Sequence, residues 1–474
     1  MLNSRRAAVL GFALALAPAA ARAADETRVA TAFEDNNPFD VFFSVGWKYE
    51  NKLARIKREF ELPGRTNNGI EIVKDLKYER QRNTLNLRAD IGVTWDLAIF
   101  IEAPLVLGDT RTLSFDQDSE KGPCTFSGTV PTCVDQTNST TLNDTNPMGQ
   151  TILPNSMEGY GLNATGTAPQ LYTSGTKVFE GPNRSGLESL NLGLNWAVLN
   201  QRKDDTKPTW TVGFEARLQV TDTQKFDRSF TTGRPVDTSV GLGYHVMRFQ
   251  SYISKRFLHV DPYMGFWWEA PMVHSQEAFP DYTTPGSLGS MTGTGQKNVN
   301  PQQVAGTTFG FEAIAFESEK DKQRVGIDFQ GRIVAHFEGR GWSEMWEVFA
   351  CNKSDPAPFT SSLCNPPSDP FNLQSFPGTT DIENYASFGG DVGVTVQVGE
   401  FVHFRAAFGA DHDQGHIITF TDAGKDKNMD GMVDPASKDE FNPLHHQQID
   451  LVGRRYRVED STTYHVNVQG MLMF

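Results

Sequence analysis

The chain has 474 residues, a formal net charge of −15 and a hydrophobic fraction of only 38%. An acidic chain lacks the basic face that a nucleic-acid backbone requires, so nucleic acid is not an expected partner. The 33 phenylalanines, 11 tyrosines and 8 tryptophans are many for so polar a chain. A soluble chain of this length would show longer apolar blocks and amphipathic helices, so the composition disfavours a set of ordinary soluble domains.

Residues 1–23 have the pattern of a secretory signal peptide. Arg5 and Arg6 give the positive start, residues 7–17 form a short apolar run, and Ala21-Arg22-Ala23 places small residues where a signal peptidase cleaves. The run is too short to span a bilayer as a helix, and an uncleaved anchor is the alternative. No later segment approaches eighteen consecutive apolar residues, which argues against a helical membrane protein.

After residue 39 the chain alternates apolar and polar residues in a series of strand-like segments. Leu87, Ala89 and Ile91, for example, fall on one face of a strand, and Arg88 and Asp90 fall on the other. Twelve such segments can be traced, near residues 41–49, 85–95, 97–105, 190–196, 210–218, 240–246, 264–268, 309–315, 325–337, 388–396, 402–408 and 464–474.

The sixth segment is the least regular of the twelve. Its apolar residues Val240, Leu242, Tyr244 and Val246 are assigned to the outer face, and the alternation then changes phase near residues 247–248. Such a change of phase predicts a β-bulge at that point.

The connections between these segments alternate between short and long. Short ones lie at residue 96 and at 200–208, 258–260, 317–324 and 398–400, and long ones at 51–76, 109–186, 221–237, 274–303, 340–384 and 412–461. Short turns on one side and long loops on the other are typical of a barrel that crosses a membrane with its strands. The sequence therefore predicts an all-β, transmembrane antiparallel up-and-down β-barrel of about twelve strands over residues 40–474.

The last strand carries a further signal. Tyr464, Val466, Val468 and Leu472 share one face, and the chain ends on Phe474. A terminal aromatic residue on such a strand resembles the signal by which bacterial outer-membrane β-barrel proteins are recognised for insertion. The resemblance implies a bacterial outer-membrane protein of the porin or transporter kind, surrounded by outer-membrane lipid and inserted by the barrel-assembly machinery through this strand. Residues 24–39 are then expected to be a periplasmic segment, or to thread the lumen.

Charged residues on the polar face of the strands are expected to line the lumen. They are Arg88, Asp90, Glu102, Glu215, Arg217, Glu269, Glu312, Asp328, Arg332, Glu338, Asp391 and Arg405. In a water-filled lumen the excess of carboxylates would favour cations. The alternative is that these side chains pair across strands and close a narrow tube.

The four cysteines form two local pairs in the long loops. Cys124 and Cys133 lie close in sequence, as do Cys351 and Cys364, and neither pair has the spacing of a redox or zinc motif. Export implies an oxidising compartment, so both pairs are predicted to be disulfides.

The last loop contains a calcium-like motif. Asp426, Asn428, Asp430, Met432 and Asp434 have the alternating oxygen ligands and central glycine that resemble the calcium loops of dockerin and thrombospondin type 3 repeats. The resemblance implies calcium as a cofactor, with the Met432 carbonyl as a ligand and with Asp439 or Glu440 as a closing ligand. An acidic solvated turn is the alternative. His412 and His416 would suit zinc only if they lay on a helix.

These patterns favour a channel or small-solute transporter of the outer membrane that mildly prefers cations. The first alternative is a structural or interaction barrel whose external loops serve a partner or an envelope complex. The second alternative is a hydrolase at the membrane rim, although no glycine-flanked nucleophilic serine is evident in the sequence.

Overall fold

The computed structural model describes residues 24–34, 37–61, 69–116, 134, 139–141, 177–225, 239–282, 295–318, 320–352 and 375–474. The predicted signal peptide lies outside the described residues. So do Cys124, Cys133 and Cys364, and the side chain of Cys351 is not described, so both disulfides stay predictions.

Twelve long strands form the body of the molecule. They are β1 (Val41–Glu61), β2 (Ile70–Thr94), β3 (Leu97–Phe115), β4 (Leu190–Leu199), β5 (Thr209–Leu218), β6 (Tyr244–Ser254), β7 (Val260–Val273), β8 (Val304–Ser318), β9 (Gln323–His336), β10 (Tyr385–Val398), β11 (Val402–Asp413) and β12 (Tyr456–Met473).

Each strand pairs antiparallel with its neighbours in the sequence, and β12 pairs with both β11 and β1. At the seam, the Val41 N–H donates to the Phe474 carbonyl over 3.0 Å, and the Phe474 N–H donates back over 2.9 Å. The sheet is thus a closed up-and-down barrel, as predicted. Recognition of Phe474 by the assembly machinery stays a prediction.

The outer face of the barrel is apolar. The side chains assigned outward from the alternation are largely the exposed ones, including Trp47, Leu87, Ile101, Phe311 and Phe329. A closed barrel leaves no unpaired strand edge, and its apolar outer face suits lipid. The molecule therefore has the architecture of an outer-membrane β-barrel.

The sixth strand differs from the prediction. β6 pairs with β5 and β7 without a register shift, so the expected bulge near residues 247–248 is absent from this described strand. Val240, Leu242, Tyr244 and Val246 line the interior cavities, and Phe249 and Ile253 are among the exposed outer residues. The outward assignment of these residues was wrong because the lumen wall beside β6 is itself locally apolar. An apolar side chain at this place therefore does not indicate the lipid-facing side.

Several strands, chiefly β1, β2, β3 and β12, are longer than expected at the external end. β1 and β2 include most of residues 51–76, which were assigned to a loop, and β3 extends to Phe115. Beyond the outer belt, inward positions carry apolar residues such as Ile56, Leu76 and Leu113, which are buried. Above the membrane the barrel therefore follows the rule of water-soluble proteins, with its apolar side inward.

Short elements decorate the barrel. They are a 3₁₀ turn (Asp25–Thr27), the helices α1 (Trp346–Phe349) and α2 (Gln447–Asp450), and the strands Ala32–Glu34, Asn37–Phe39, Lys177–Glu180, Arg184–Leu187, Gly339–Gly341, Cys351–Asn352, Ser375–Phe376, Thr380–Ile382 and His416–Ile417. No helix within the described ranges is long and apolar enough to cross a membrane.

Residues 24–31 lie inside the barrel, which corresponds to the second of the two positions expected for residues 24–39, the lumen. The Thr27 hydroxyl lies 2.8 Å from the Ser254 hydroxyl, and Arg405 donates to Glu26 over 3.1 Å. Nearer the turn side, Asp40 accepts from the Thr31 N–H over 2.9 Å. Residues 24–31 enter because lumen side chains satisfy their polar groups.

The outer belt gives the first test of this fold. Phe329 pairs with Phe311 across β9 and β8, with stacked rings 5.2 Å apart. Phe329→Arg places a charge against lipid and should lower the free energy of unfolding by about 2–4 kcal/mol. Urea unfolding in lipid vesicles measures this loss. Met432→Arg, at an exposed external site, is the control and should change little; equal effects of the two substitutions would argue against a lipid-facing belt.

Candidate functional site in the barrel lumen

The predicted lumen charges are mostly paired with one another. Arg88 donates to both oxygens of Asp90 over 2.7 and 2.8 Å, and it reaches Glu102 over 3.2 Å. Farther round the wall, Arg217 lies 2.9 Å from Glu215 and 3.0 Å from Glu269. These pairs link β2 to β3 and β5 to β7 along the lumen wall.

A second network crosses β9 to β12. Arg332 binds Asp391 and Asp411, and His465 contacts Asp391 as well. A Cβ at Gly409 would lie only 1.9 Å from an Asp391 oxygen, so glycine is required to make room for this network. Neither Asp411 nor His465 was included in the predicted set. His465 occupies an inward position of the predicted last strand, whereas Asp411 lies beyond residue 408, where the predicted eleventh strand ends.

The remaining predicted wall charges lie near the turn side, with one exception. Arg324 donates to Glu312 over 2.7 Å, and Arg405 donates to Asp328 over 2.7 Å. Glu338 lies beyond the end of β9 and is exposed, so the structure does not place it in the lumen wall. The chain has already left the sheet at this residue.

Basic residues of the external half were missed by the sequence analysis. Lys52 lies 2.8 Å from Glu344 and 3.1 Å from Asp413. Arg80 binds Asp109 through two hydrogen bonds of 2.9 and 2.6 Å, and Arg111 also contacts this carboxylate. Lys52 and Arg111 were missed because residues 51–76 and 109–186 were assigned to loops, and Arg80 was missed because it precedes residue 85, where the predicted second strand begins. The sequence did contain a signal for these strand extensions, because charged residues alternate with uncharged ones at the even positions from 48 to 52 and from 80 to 82.

Three adjoining cavities run through the lumen. One of about 320 Å³ includes Phe42 and Met471 near the termini of β1 and β12, and shares Arg88 with the central cavity of about 590 Å³. A third, of about 310 Å³, shares Arg82 and Tyr244 with the central one. The cavities thus form a series along the barrel.

The external end is covered by a folded cap, which we define as residues 342–350, 376–382 and 441–450. Trp346, Val348 and Phe349 of α1 are buried against inward side chains of the extended strands. Trp346 also lies 5.0 Å from the guanidinium of Arg184, which in turn donates to Glu347 over 2.7 Å. An apolar core with a buried ion pair therefore holds the cap over the third cavity.

The cap contains two buried acids. Burial raises the pKa of Asp450 to about 8 and also raises that of Asp381, whose negative charge opposes ionisation of Asp450. Arg340 lies 3.4 Å from Asp381. Asp450 accepts hydrogen bonds from the backbone N–H groups of Thr421 and His446, over 3.0 and 2.8 Å.

Two histidines lie beside these acids. Burial lowers the pKa of His446 to about 3 and also lowers the pKa of His445. His446 packs edge-on against Phe376, with ring centres 4.3 Å apart. Both histidines are therefore neutral at pH 7.

The residues of the calcium-like motif come together in a hydrogen-bonded turn. Asp426 accepts from the backbone N–H groups of Asp430 and Gly431, and Asn428 donates to Asp430 over 2.9 Å. Glu440 is buried and accepts from the backbone of Asn428 and Asp434 over 3.1 Å each. No group of three His, Cys, Asp or Glu side chains in the described part of the chain is placed to hold a metal ion.

Both histidines considered for zinc lie on strands. His412 belongs to β11 and contacts Thr462, and His416 stacks on Tyr385 with ring centres 3.8 Å apart. The helical arrangement that zinc would need is therefore not formed.

Comparison with known proteins gives no family assignment: no family model and no curated protein matches the chain. Among solved structures, an outer membrane channel from Pseudomonas putida F1 is 8% identical, with 91% of this chain and 95% of that chain covered and a TM-score of 0.38. A FadL homologue from Pseudomonas aeruginosa is 6% identical, with 92% and 90% covered and a TM-score of 0.29. The outer membrane protease OmpT from Escherichia coli is 8% identical, with 92% and 98% covered and a TM-score of 0.25. At these values the comparisons transfer no function to this chain.

The buried acids predict that the cap loosens at alkaline pH. Asp450 is protonated in the folded cap below about pH 8 but ionises near its ordinary pKa of 3.8 when unfolded. The unfolded cap therefore binds fewer protons over this window, and stability falls as the pH rises towards 8. Amide protection in residues 441–450, corrected for intrinsic exchange, should drop about tenfold from pH 7 to pH 9.

Asp450→Asn should remove most of this pH dependence, because the amide stays neutral. Asp439→Asn, at an exposed neighbouring position, is the matched control. A pH dependence that persists in Asp450→Asn would show that another group controls the cap.

Proposed function

We propose that this protein is a channel or small-solute transporter of the outer membrane whose described form is closed. The observation that carries the proposal is the series of cavities of about 320, 590 and 310 Å³ along the barrel. A barrel whose only role was to anchor its loops would have no need of such polar interior space. The cap covers one end of the series and residues 24–31 occupy the other, so passage requires both of them to move.

The lining suits small polar or charged solutes. The described residues around the three cavities include eleven basic and eight acidic side chains: Arg28, Lys48, Lys52, Arg80, Arg82, Arg88, Arg111, Arg217, Arg248, Arg340 and Arg405, with Glu26, Glu50, Asp90, Glu102, Asp109, Glu188, Glu215 and Glu344. A lining with both basic and acidic side chains favours a hydrated lumen. It also provides ionic contacts for anionic and for cationic solutes. The excess of basic over acidic side chains around the cavities does not favour the mild cation preference, which stays a prediction.

Conductance in planar bilayers tests the proposal. Trp346→Ala removes a buried indole from the roof of the third cavity and should raise single-channel conductance or the open fraction above wild type. Trp196→Ala, on the lipid-facing surface, is the matched control and should conduct as wild type. The reversal potential in a KCl gradient measures charge selectivity in the same experiment.

Absence of conductance in both the wild-type protein and the Trp346→Ala variant would contradict the channel proposal. That outcome would favour the first alternative, an interaction barrel in which the folded cap serves a partner. The rim hydrolase has less support, because the described partners of His412, His416, His445 and His465 are threonine, backbone carbonyls, aspartate and arginine.

We also propose that calcium binds the loop around Asp430. The supporting observation is that Asp426, Asn428 and Asp430 already face one another, with Glu440 behind them. Without a cation the carboxylates of Asp426 and Asp430 repel each other, which would leave the loop easier to open. Calcium should therefore slow proteolysis of residues 412–461, and Asp430→Ala should abolish this protection without affecting barrel assembly. Lys438→Ala, outside the ligand set, should retain it. Equal cleavage with calcium and with chelator would show that the motif is only a turn.

A further inference from the structure

A buried carboxylate near the turn side of the lumen lacks a normal partner. Asp261, the second residue of β7, is 0% exposed, and neither of its carboxylate oxygens has a hydrogen bond of normal geometry among the described residues. Burying a carboxylate without a compensating partner is strongly unfavourable. The buried Asp261 carboxylate therefore needs a compensating positive charge nearby.

The surrounding groups do not supply enough positive charge. Arg324 pairs with Glu312, and Arg405 is shared by Asp328 and Glu26. Arg256, the other arginine acting on Asp261, is held by Glu317 over 3.1 Å. The acids of this cluster therefore outnumber the arginines even before Asp261 is counted.

Among the described residues, the backbone nitrogen of Ala24 is one of the groups beside Asp261. The Ala24 N–H is turned towards the Asp261 carboxylate, and Ala24 is 1% exposed. A cavity of about 10 Å³, lined by Ala24, Glu312 and Asp328, adjoins it and has room for about one water molecule. Residue 24 is also the first residue after the predicted cleavage site Ala21-Arg22-Ala23.

The segment that follows Ala24 is fixed to the barrel. The Thr27 N–H donates to the Ala24 carbonyl over 2.9 Å, and the Asp40 N–H donates to the Thr31 carbonyl over 2.9 Å. A Cβ at Gly92 would lie 2.2 Å from the Thr31 carbonyl oxygen, so glycine is required where the segment passes the wall. Ala24 is therefore held in place from its C-terminal side.

We propose that cleavage of the Ala23–Ala24 bond creates an α-ammonium group that binds Asp261 and locks the N-terminal segment inside the barrel. A signal peptidase adds water across the peptide bond, which leaves a carboxylate on Ala23 and an amine on Ala24. The amine takes up a proton at neutral pH and gives Asp261 its missing counter-charge. Processing thus completes the ion-pair network, and this inference holds whether or not the lumen conducts.

The first measurement is the N-terminus of the protein purified from outer membranes. Mass spectrometry should find a chain that begins at Ala24. A chain beginning at another residue would overturn the proposal, because no α-amine would then stand at Asp261.

The second measurement is the reactivity of that amine. Reductive methylation with ¹³C-formaldehyde labels free amines, and an ordinary α-amine has a pKa of about 7.7–8.0. Pairing with Asp261 should hold the amine protonated and slow its labelling about tenfold relative to Asp261→Asn. Asp205→Asn, in an exposed turn, should label as wild type. Equal rates in wild type and Asp261→Asn would overturn the proposal.

If Asp261→Asn fails to fold, the pairing can be tested with two further chains that differ only at their N-terminus. Refolded chains that begin at Ala24 and at an added glycine before Ala24 both retain Asp261. The extra residue displaces the amine by about 3.8 Å, so the extended chain should label faster. Equal labelling of these two chains would also exclude the pairing.

Discussion

Closure of the backbone ladder is the constraint on which the rest of this structure depends. In lipid every backbone N–H and C=O must be paired within the protein, and only a closed sheet achieves this with strands. The pairing of β12 with β1 completes the ring. Once the ring is closed, alternate residues must face lipid or the lumen. The side chains at the inward positions therefore determine the chemistry of the interior.

The interior then needs its own charge balance. Inward positions of the membrane region carry arginines and carboxylates in nearly matched sets, such as Arg217 with Glu215 and Glu269. Removing one partner of such a pair would leave a buried charge, which is costly. Glycines at Gly326 and Gly409 give the large side chains space, since a Cβ at Gly326 would lie 2.1 Å from a Glu312 oxygen. Charge pairing and small residues together let a narrow barrel keep water and cavities inside.

The sequence predicted the barrel, its twelve strands and most outward residues, because lipid and lumen impose opposite chemistry on alternate positions. It failed where that contrast disappears. Beside β6 the lumen is locally apolar, so Leu242 and Tyr244 were assigned to the wrong face. Above the membrane Ile56 and Leu76 point inward, and the alternation no longer identifies strands. The cap was missed because its core joins segments that are far apart in sequence, a relation that local periodicity cannot show.

The cap and the N-terminal segment close the lumen by different physical means. The cap relies on an apolar core around Trp346 and Phe349, together with neutral forms of Asp450 and His446, so its stability depends on burial and on pH. The N-terminal segment buries little apolar surface and relies on ion pairs and hydroxyl contacts such as Glu26 with Arg405. Ion pairs inside a wet lumen weaken with salt and respond to local charge, whereas an apolar core does not. The cap is therefore expected to respond chiefly to pH and the N-terminal segment chiefly to salt.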